Sequence, residues 1–382
     1  MAARAYRKVT PFTPPEWTKE LPSDSVPKSI VTLCQLPTPL HEWTSFPGAP
    51  DGFTIGIKRD DLTHSTMSGN KVRKLELLLA DALDSGCTAV VTAGCVNTNH
   101  GRATAVAAKE LGLDTYLVLA ASKSELAQKD KLPCSGNVLL DRMVGAGMVL
   151  AHTEGAIFDC VNLRMKKVVD DLADRGQKAY IVPVGGTSVL GTWAYLAAFQ
   201  EMIEQGLLEN YDDIVAALGS AGTCVGLAIA NYLLGSPLKI HGVVIAEDEQ
   251  LAHQLVNAEL QQIGLADKGV RSEDIIDVVG GYVAPGYGMA SDEVFDFILS
   301  VSRNTGIILD QTFCGKAAFG MRDLMHKQPE RFKGKRILFL HSGGVFGVYN
   351  RSIEPRLQET SAGQVVDWTS EEQMSPLPRL LK

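Results

Sequence analysis

Residues 87–119, CTAVVTAGCVNTNHGRATAVAAKELGLDTYLVL, decide the fold. Cys87 to Ala93 is a short apolar run rich in β-branched residues, Ala103 to Leu111 has helical spacing and stops at Gly112, and Thr115 to Leu119 is a second strand-like run. That order is a βαβ unit. Working outward, Phe53 to Lys58 alternates like a strand, and Val72, Leu75, Leu78, Leu79 and Ala82 share one face of a helix that ends at Gly86. Downstream, Ala179 to Val184, Ile214 to Leu218, Ile240 to Ala246 and Arg336 to Leu340 read as further strands with helical stretches between them. Alternating β and α predicts an α/β protein with open, twisted parallel sheets covered by helices on both faces.

The chain has 382 residues, a length suited to about two domains. Its 36 basic and 44 acidic side chains give a net charge of −8, so it offers no basic footprint for nucleic acid or an anionic membrane. No window approaches the ~18 apolar residues of a membrane span, and Met1 to Pro15 lacks the apolar core of a secretory signal. Cys34, Cys87, Cys95, Cys134, Cys160, Cys224 and Cys314 are odd in number, without C-x-x-C spacing, and read as reduced thiols of an intracellular protein. The expected location is cytoplasmic, with a mitochondrial leader as the alternative: the start is acid-poor up to Glu16 but has no serine before Ser23. Residues 1–50, rich in Pro and Trp, read as an extended arm packed on the body, and Glu354 to Lys382 as a polar surface tail.

In open α/β sheets ligands sit beyond the carboxyl ends of strands, where helix N-termini present free amides. Four loops there are unusual: Ser68-Gly69-Asn70-Lys71, Gly94 to Gly101, Gly219-Ser220-Ala221-Gly222-Thr223, and His341-Ser342-Gly343-Gly344. The third is small at every position and resembles a phosphate cup, although alone it would read as a tight turn with a helix cap. No G-x-x-x-x-G-K-[ST], strand-borne G-x-G-x-x-G or G-x-S-x-G occurs, which argues against familiar nucleotide folds and serine hydrolases. Asn97-Thr98-Asn99 offers neutral donors to an oxygen anion, or equally an N-cap cluster. His100 has no second histidine at metal-ligand spacing and suits a local hydrogen bond; no metal site is expected. Lys71 is the telling residue, because a helix start is electrostatically wrong for a cation. A neutral amine fits there, and neutrality at pH 7 costs an ordinary lysine about 4.6 kcal/mol, an investment that Schiff-base chemistry requires.

With these residues in hand, the chain resembles the D-cysteine desulfhydrase and 1-aminocyclopropane-1-carboxylate deaminase family. Ser68 to Glu76, Asn97 to His100 with Arg102 to Ala105, Gly219 to Thr223, Gly315-Lys316-Ala317 and His341 to Gly344 occur in the family's order, and the arm with Pro14-Pro15-Glu16-Trp17 is most similar to the eukaryotic desulfhydrases. The resemblance spans roughly Pro11 to Tyr349. It implies the tryptophan-synthase-β-like fold (fold type II), pyridoxal 5'-phosphate as cofactor, a homodimer, and two parallel-sheet domains: residues 1–75 with 189–382, and an inserted 76–188. It further implies that Lys71 carries the cofactor, Asn99 contacts its ring hydroxyl, and Ser220, Ala221, Gly222 and Thr223 hold its phosphate. The substrate carboxylate is expected at Asn97, Thr98 and nearby amides, with Thr98 and Tyr287 as catalytic partners of Lys71. Lys74, one turn beyond Lys71, would face the phosphate or solvent.

Three departures shape the function. The family's Gln-Ser-Asn is Asn97-Thr98-Asn99 here, and its Asp-Pro-Val-Tyr with a following Thr, Ser or Glu is Asp310-Gln311-Thr312-Phe313-Cys314. Phe313 thus lines the substrate site without a phenol, and Cys314 stands with Ser342 near the ring nitrogen, where desulfhydrases carry Thr and deaminases Leu at the position of Ser342. A carboxylate there would deepen the electron sink that opening a cyclopropane demands; a neutral thiol and hydroxyl suffice for expelling a β-leaving group. The leading reading is a lyase that converts D-cysteine to pyruvate, hydrogen sulfide and ammonia. Elimination, deamination or racemisation of another small amino acid (L-cysteate, aminocyclopropane carboxylate, a serine-like compound) is the alternative, as is a catalytically weakened cofactor-binding protein.

Overall fold

A computed structural model describes residues 6–121, 126, 132, 134–152, 157–246 and 248–359. Its strands are β1 Val9–Pro11, β2 Ser29–Val31, β3 Leu40–Glu42, β4 Thr54–Arg59, β5 Ala89–Cys95, β6 Asp114–Ala121, β7 Gly147–His152, β8 Ala179–Ile181, β9 Asp213–Leu218, β10 Lys239–Val244, β11 Asp277–Val279 and β12 Arg336–His341. The longer helices are α1 Asn70–Asp84, α2 Asn99–Glu110, α3 Gly136–Met143, α4 Ile157–Ala173, α5 Val189–Glu204, α6 Gly222–Leu233, α7 Glu249–Gln262, α8 Asp292–Thr305 and α9 Cys314–Lys327.

Two open sheets result, ordered β11-β10-β9-β12-β4-β3 and β7-β6-β5-β8. All pairings in them are parallel except β3 on β4, which closes one edge in the antiparallel sense. The α/β class follows from strands apolar on both faces. Along β9, Ile214, Ala216 and Leu218 pack under α5, α6 and α7, whereas Val215 packs on the opposite face with α8 and α9. The smaller sheet repeats this: Val90 meets α1 and α2, and Ala89, Val91 and Ala93 meet α4. Each such Val or Leu, fully buried, contributes roughly 1.5–3 kcal/mol.

Several boundaries differ from the sequence reading. The arm contains the β1–β2 pair and the edge strand β3, and its Leu33 and Cys34 amides donate to buried Glu76 of α1 at 2.7 and 2.8 Å. Helix α2 begins at Asn99 rather than Ala103, because the Thr98 hydroxyl accepts the Gly101 amide and caps it. The strand expected over Ala179 to Val184 ends at Ile181 and passes into a short 3₁₀ turn, Val184–Gly186. Strands β7 and β11 went unread, being short or interrupted by small residues. Of the polar tail, Glu354–Glu359 is helical and the remainder lies outside the described residues. Among the described residues no helix is long and apolar enough to cross a membrane.

Helix α1 is held rigidly. Arg73, 4% exposed, donates to Asp60 at 2.8 and 3.0 Å and to Glu201 at 2.9 and 3.0 Å, and Tyr195 adds its hydroxyl to Asp60 at 2.7 Å. Burial alone would raise the Asp60 pKa, but Arg73 and Lys58 bring it below the ordinary value. Removing one partner of such a buried cluster costs about 3–5 kcal/mol, so the residues two positions from Arg73 are firmly placed.

Candidate active site

The carboxyl ends of both sheets face one cavity of about 240 Å³. Lys71 enters it from the first turn of α1, after Ser68 and Gly69, both at positive φ (37° and 102°). Gly69 needs that freedom: it lies back to back with the 342–344 loop, where a Cβ on Gly343 would fall 2.6 Å from the Gly69 Cα, and the Asn70 amide donates to the Ser342 carbonyl at 2.9 Å. The Lys71 Nζ donates to the Gly185 carbonyl at 3.0 Å. Burial and the neighbouring Lys74 hold the Lys71 amine well below the usual lysine range. The Lys71 amine is therefore easier to deprotonate than that of an ordinary lysine.

Lys74 is 1% exposed, which excludes the solvent-facing alternative. Its Nζ lies 3.3 Å from the same Gly185 carbonyl and 2.8 Å from where a Cβ on Gly222 would be, so it faces the glycine-rich cup. Burial brings its pKa down to about 8, with Glu259 opposing. The cup is Ser220 to Thr223 at the start of α6, with Ala221 at φ 63°. Asn70 Nδ2 donates to the Thr223 hydroxyl at 2.9 Å, and the Thr187 hydroxyl donates to the Ser220 carbonyl at 2.8 Å. A helix N-terminus, small residues and a buried ammonium make an anion cradle. Gly185, Gly186 and Thr187, in the run Pro183 to Ser188, went unread in the sequence although the Gly-Gly pair marks a close approach: a Cβ on Gly185 would fall 2.3 Å from the Ser220 hydroxyl.

Thr98, Asn99 and His100 line the cavity beside Lys71; Asn97 does not. The Asn97 carboxamide instead accepts the Asn137 amide at 2.9 Å, which fixes the loop from behind. The Asn99 Oδ1 is buried and has no partner. His100, 4% exposed, places Nε2 2.9 Å from the Thr92 hydroxyl. That hydroxyl also donates to the Val182 carbonyl at 2.8 Å. Burial, with Lys71 and Lys74, brings the imidazole well below the usual histidine range, and a backbone hydrogen bond with Pro183 opposes the shift.

At the opposite wall, Cys314 opens α9, fully buried, its Sγ 3.4 Å from the Ser342 hydroxyl and 3.3 Å from the Gly343 carbonyl. Burial and Asp310 push its thiol pKa far up, so it is a protonated thiol and not a thiolate. Asp310 caps this helix by accepting the amides of Thr312, Phe313 and Cys314 at 2.8–3.0 Å, a role the sequence motif did not disclose. Ser342 and Phe313 line the cavity while Cys314 stands behind Ser342. Tyr287 is edge-on to Phe313, ring centroids 5.9 Å apart. Tyr287 is 47% exposed as a residue, and its phenol lies beside Cys95, where burial and that thiol raise its pKa. Lys316 is no competitor for Lys71: its ammonium is spent on the Val283 and Gly286 carbonyls, at 2.6 and 2.8 Å, holding the loop that carries Tyr287. Among the described residues no group of three metal-binding side chains exists.

Residues 31–343 match the family model described as pyridoxal-phosphate dependent enzyme. The chain is 37% identical over 345 residues to a bifunctional D-cysteine desulfhydrase/1-aminocyclopropane-1-carboxylate deaminase, mitochondrial, of Arabidopsis thaliana, covering 89% of this chain and 84% of that one. A solved structure of an ACC deaminase homologue superposes with a TM-score of 0.76 at 31% identity, covering 90% and 97% of the two chains. A hydrogen sulfide-producing enzyme of Fusobacterium nucleatum, at 17% identity and a TM-score of 0.56 over 80% of this chain and 94% of its own, shares the fold. The chain belongs to the D-cysteine desulfhydrase/1-aminocyclopropane-1-carboxylate deaminase family of pyridoxal-phosphate-dependent enzymes. The site fits that cofactor: an anion cradle for its phosphate, an enclosed amine of lowered pKa for its aldehyde carbon, and a carboxamide, Asn99, whose buried Oδ1 lacks a partner.

Proposed function

We propose that this member of the pyridoxal-phosphate-dependent family is a lyase that eliminates the β-substituent of a small, neutral amino acid, with D-cysteine as substrate and pyruvate, hydrogen sulfide and ammonia as products. The observation that carries this reading is the neutral Ser342 hydroxyl on the cavity wall, backed by the protonated Cys314 thiol. Lys71 would hold the cofactor through its amine, the 220–223 cup with Lys74 its phosphate, and Asn99 its ring oxygen, with Ser342 and Cys314 toward its ring nitrogen. So bound, it supplies an electron sink, and a neutral hydroxyl and thiol favour the shallower sink that suffices when sulfide leaves.

The chain's own residues supply the rest. The Thr98 hydroxyl, which accepts the Gly101 amide, keeps its proton for a substrate carboxylate. Lys71, neutral once displaced, takes the α-proton at Nζ. The Tyr287 phenol keeps its proton and can give a hydrogen bond to the departing sulfur. No arginine, aspartate or glutamate lines the cavity among the described residues, so the sulfonate of L-cysteate would lie unpaired there, which favours a neutral β-substituent. We further propose that residues 76–188 form an inserted domain on the domain made of 1–75 and 189–382, with the cofactor held between them. The chain acts as a homodimer in this reading.

The deciding experiment supplies D-cysteine and 1-aminocyclopropane-1-carboxylate in parallel and measures sulfide, pyruvate and ketobutyrate. Sulfide with pyruvate from the first and little ketobutyrate from the second is expected. Ketobutyrate in excess, or no sulfide from the cofactor-loaded protein, would falsify the assignment.

A further inference from the structure

One guanidinium ties together three of the loops that build the cavity without lining it itself. Arg102, in the first turn of α2, is fully buried, and its Nη1 donates to the Thr66 and Met67 carbonyls, directly before Ser68 and the turn that delivers Lys71. The amides of the same two residues donate to His64 Nδ1, each at 3.2 Å, so this stretch is pinned from both sides. Arg102 Nε donates to Asn137 Oδ1 at 2.9 Å. Asn137 in turn gives its amide to the Asn97 carboxamide and its Nδ2 to the Asn97 carbonyl, both at 2.9 Å, which braces the residue before Thr98. The guanidinium face lies 4.4 Å from the centre of the Phe346 ring, two residues beyond the 342–344 loop. A buried cation is ordinarily met by a carboxylate. Asp141 is the acidic side chain whose charge Arg102 feels, yet among the described residues both Asp141 oxygens and Arg102 Nη2 are enclosed without partners. The fork is spent on neutral acceptors in the loops, not on charge pairing.

We propose that Arg102 is a positioning residue for the reaction: through Asn137 it holds the loop that presents Thr98 in register with the loop that presents Lys71. This rests on reading Lys71 as the cofactor's lysine and Thr98 as the donor to the substrate carboxylate. An amino acid with its α-carbon at Lys71 and its carboxylate at Thr98 spans both loops, so their separation decides whether the two ends can be met at once. A displacement of about 1 Å in such a geometry costs ~10²-fold in rate. The residue type follows from the contacts. A guanidinium is a planar fork whose Nε and Nη1 point along fixed, separate directions while its face stacks on a ring; an ammonium is a single point with no face. Lysine at this position can serve the Thr66 and Met67 carbonyls but gives up the arm to Asn137.

The test is a double-mutant cycle read by D-alanine binding, followed through the absorbance of the cofactor in the fully loaded protein. Arg102→Lys and Asn137→Ala cut the same connection from its two ends. Each is expected to keep the cofactor on Lys71, as borohydride reduction and peptide mapping would show, and to weaken D-alanine about tenfold or more. The double variant should lose little beyond either single one, because the connection can be cut only once. A purely structural arginine predicts a different result: a lower urea midpoint with the D-alanine affinity of the folded, loaded protein unchanged. That result overturns the proposal, and so do losses that add. Should Arg102→Lys fail to fold, Asn137→Ala decides alone, since it leaves the guanidinium in place and unchanged D-alanine affinity in it is sufficient to overturn the role. A parent whose cofactor does not respond to D-alanine overturns it as well, since no carboxylate then bridges the loops. The D-alanine losses without sulfide from D-cysteine would sink the desulfhydrase reading and leave the role of Arg102 standing; sulfide with D-alanine affinity unchanged in both variants does the opposite.

Discussion

The Cys314 thiol lies 3.4 Å from the Ser342 hydroxyl, and with the Gly343 carbonyl 3.3 Å away its proton has an acceptor that cannot supply one in return. In the proposed reading this neutral pair would stand toward the cofactor's ring nitrogen, where a carboxylate would change the chemistry. Since burial and Asp310 keep the thiol protonated, Cys314 should stay unlabelled by iodoacetamide at pH 8 in the folded protein, while exposed Cys134 reacts. Cys314→Ser, which exchanges one neutral group for another, should keep sulfide release within about tenfold of the parent. Rapid alkylation of Cys314, mapped by peptide mass, would show an accessible thiolate and remove the electrostatic argument.

Lys71→Ala is expected to abolish covalent retention of the cofactor. Borohydride reduction of the parent followed by peptide mapping should place the label on Lys71 and on neither Lys74 nor Lys316. The structure separates the three: Lys71 has an enclosed amine, Lys74 is directed at the Gly222 backbone, and Lys316 is bound to two carbonyls.

Lys316→Met should loosen the loop carrying Tyr287, because two carbonyls lose their donor in a buried place. The expected signature is a raised KM and lowered kcat with the cofactor still fully bound. Loss of cofactor in this variant would instead place Lys316 in the cofactor site.

How much of this was legible in the sequence depended on whether a residue acts through its own pattern or through a distant partner. Lys71 was legible because a cation at a helix start violates a local electrostatic rule, and Gly219 to Thr223 because small residues after a strand have few other uses. The strands of both sheets were legible where they are long and β-branched; β7 and β11 were not. Asp310, Gly185 and Lys316 escaped for a different reason. Their roles are a helix cap, a carbonyl shared by two lysines and a loop clamp, each defined by partners that only the fold brings near. Asn97 misled in the same way: in sequence it belongs to the loop that lines the cavity, yet its carboxamide is turned to Asn137.

Asp141 on α3 is fully buried with both carboxyl oxygens unpartnered, and burial raises its pKa to about 7 despite Arg102. The sign follows from proton counting. Between the unfolded value near 3.8 and the folded value, the native state holds a proton that the unfolded chain has lost, so this group's contribution to stability declines as pH rises through that window. Asp141→Asn removes the dependence. Urea unfolding of both proteins should therefore show the Asn form gaining about 3 kcal/mol on the parent between pH 4.5 and pH 8. A constant difference across that range would mean that Asp141 is ionised at both ends.

Phe313 is the departure with the clearest catalytic reading. Its ring sits in the cavity wall, 3.5 Å from where a Cβ on Gly219 would be and edge-on to Tyr287, so a hydroxyl added at its tip would enter an already aromatic corner beside the one phenol the site retains. If a second phenol there gives a proton or hydrogen bond to the departing group, Phe313→Tyr should raise D-cysteine turnover by up to ~10²-fold, with the gain in kcat rather than in KM. Tyr287→Phe in the same background separates the two phenols: loss of most of the gain shows that they act together, through the 5.9 Å ring pair. A Phe313→Tyr protein with full cofactor and unchanged kcat would mean that the missing phenol limits nothing, and that Tyr287 alone serves the leaving group.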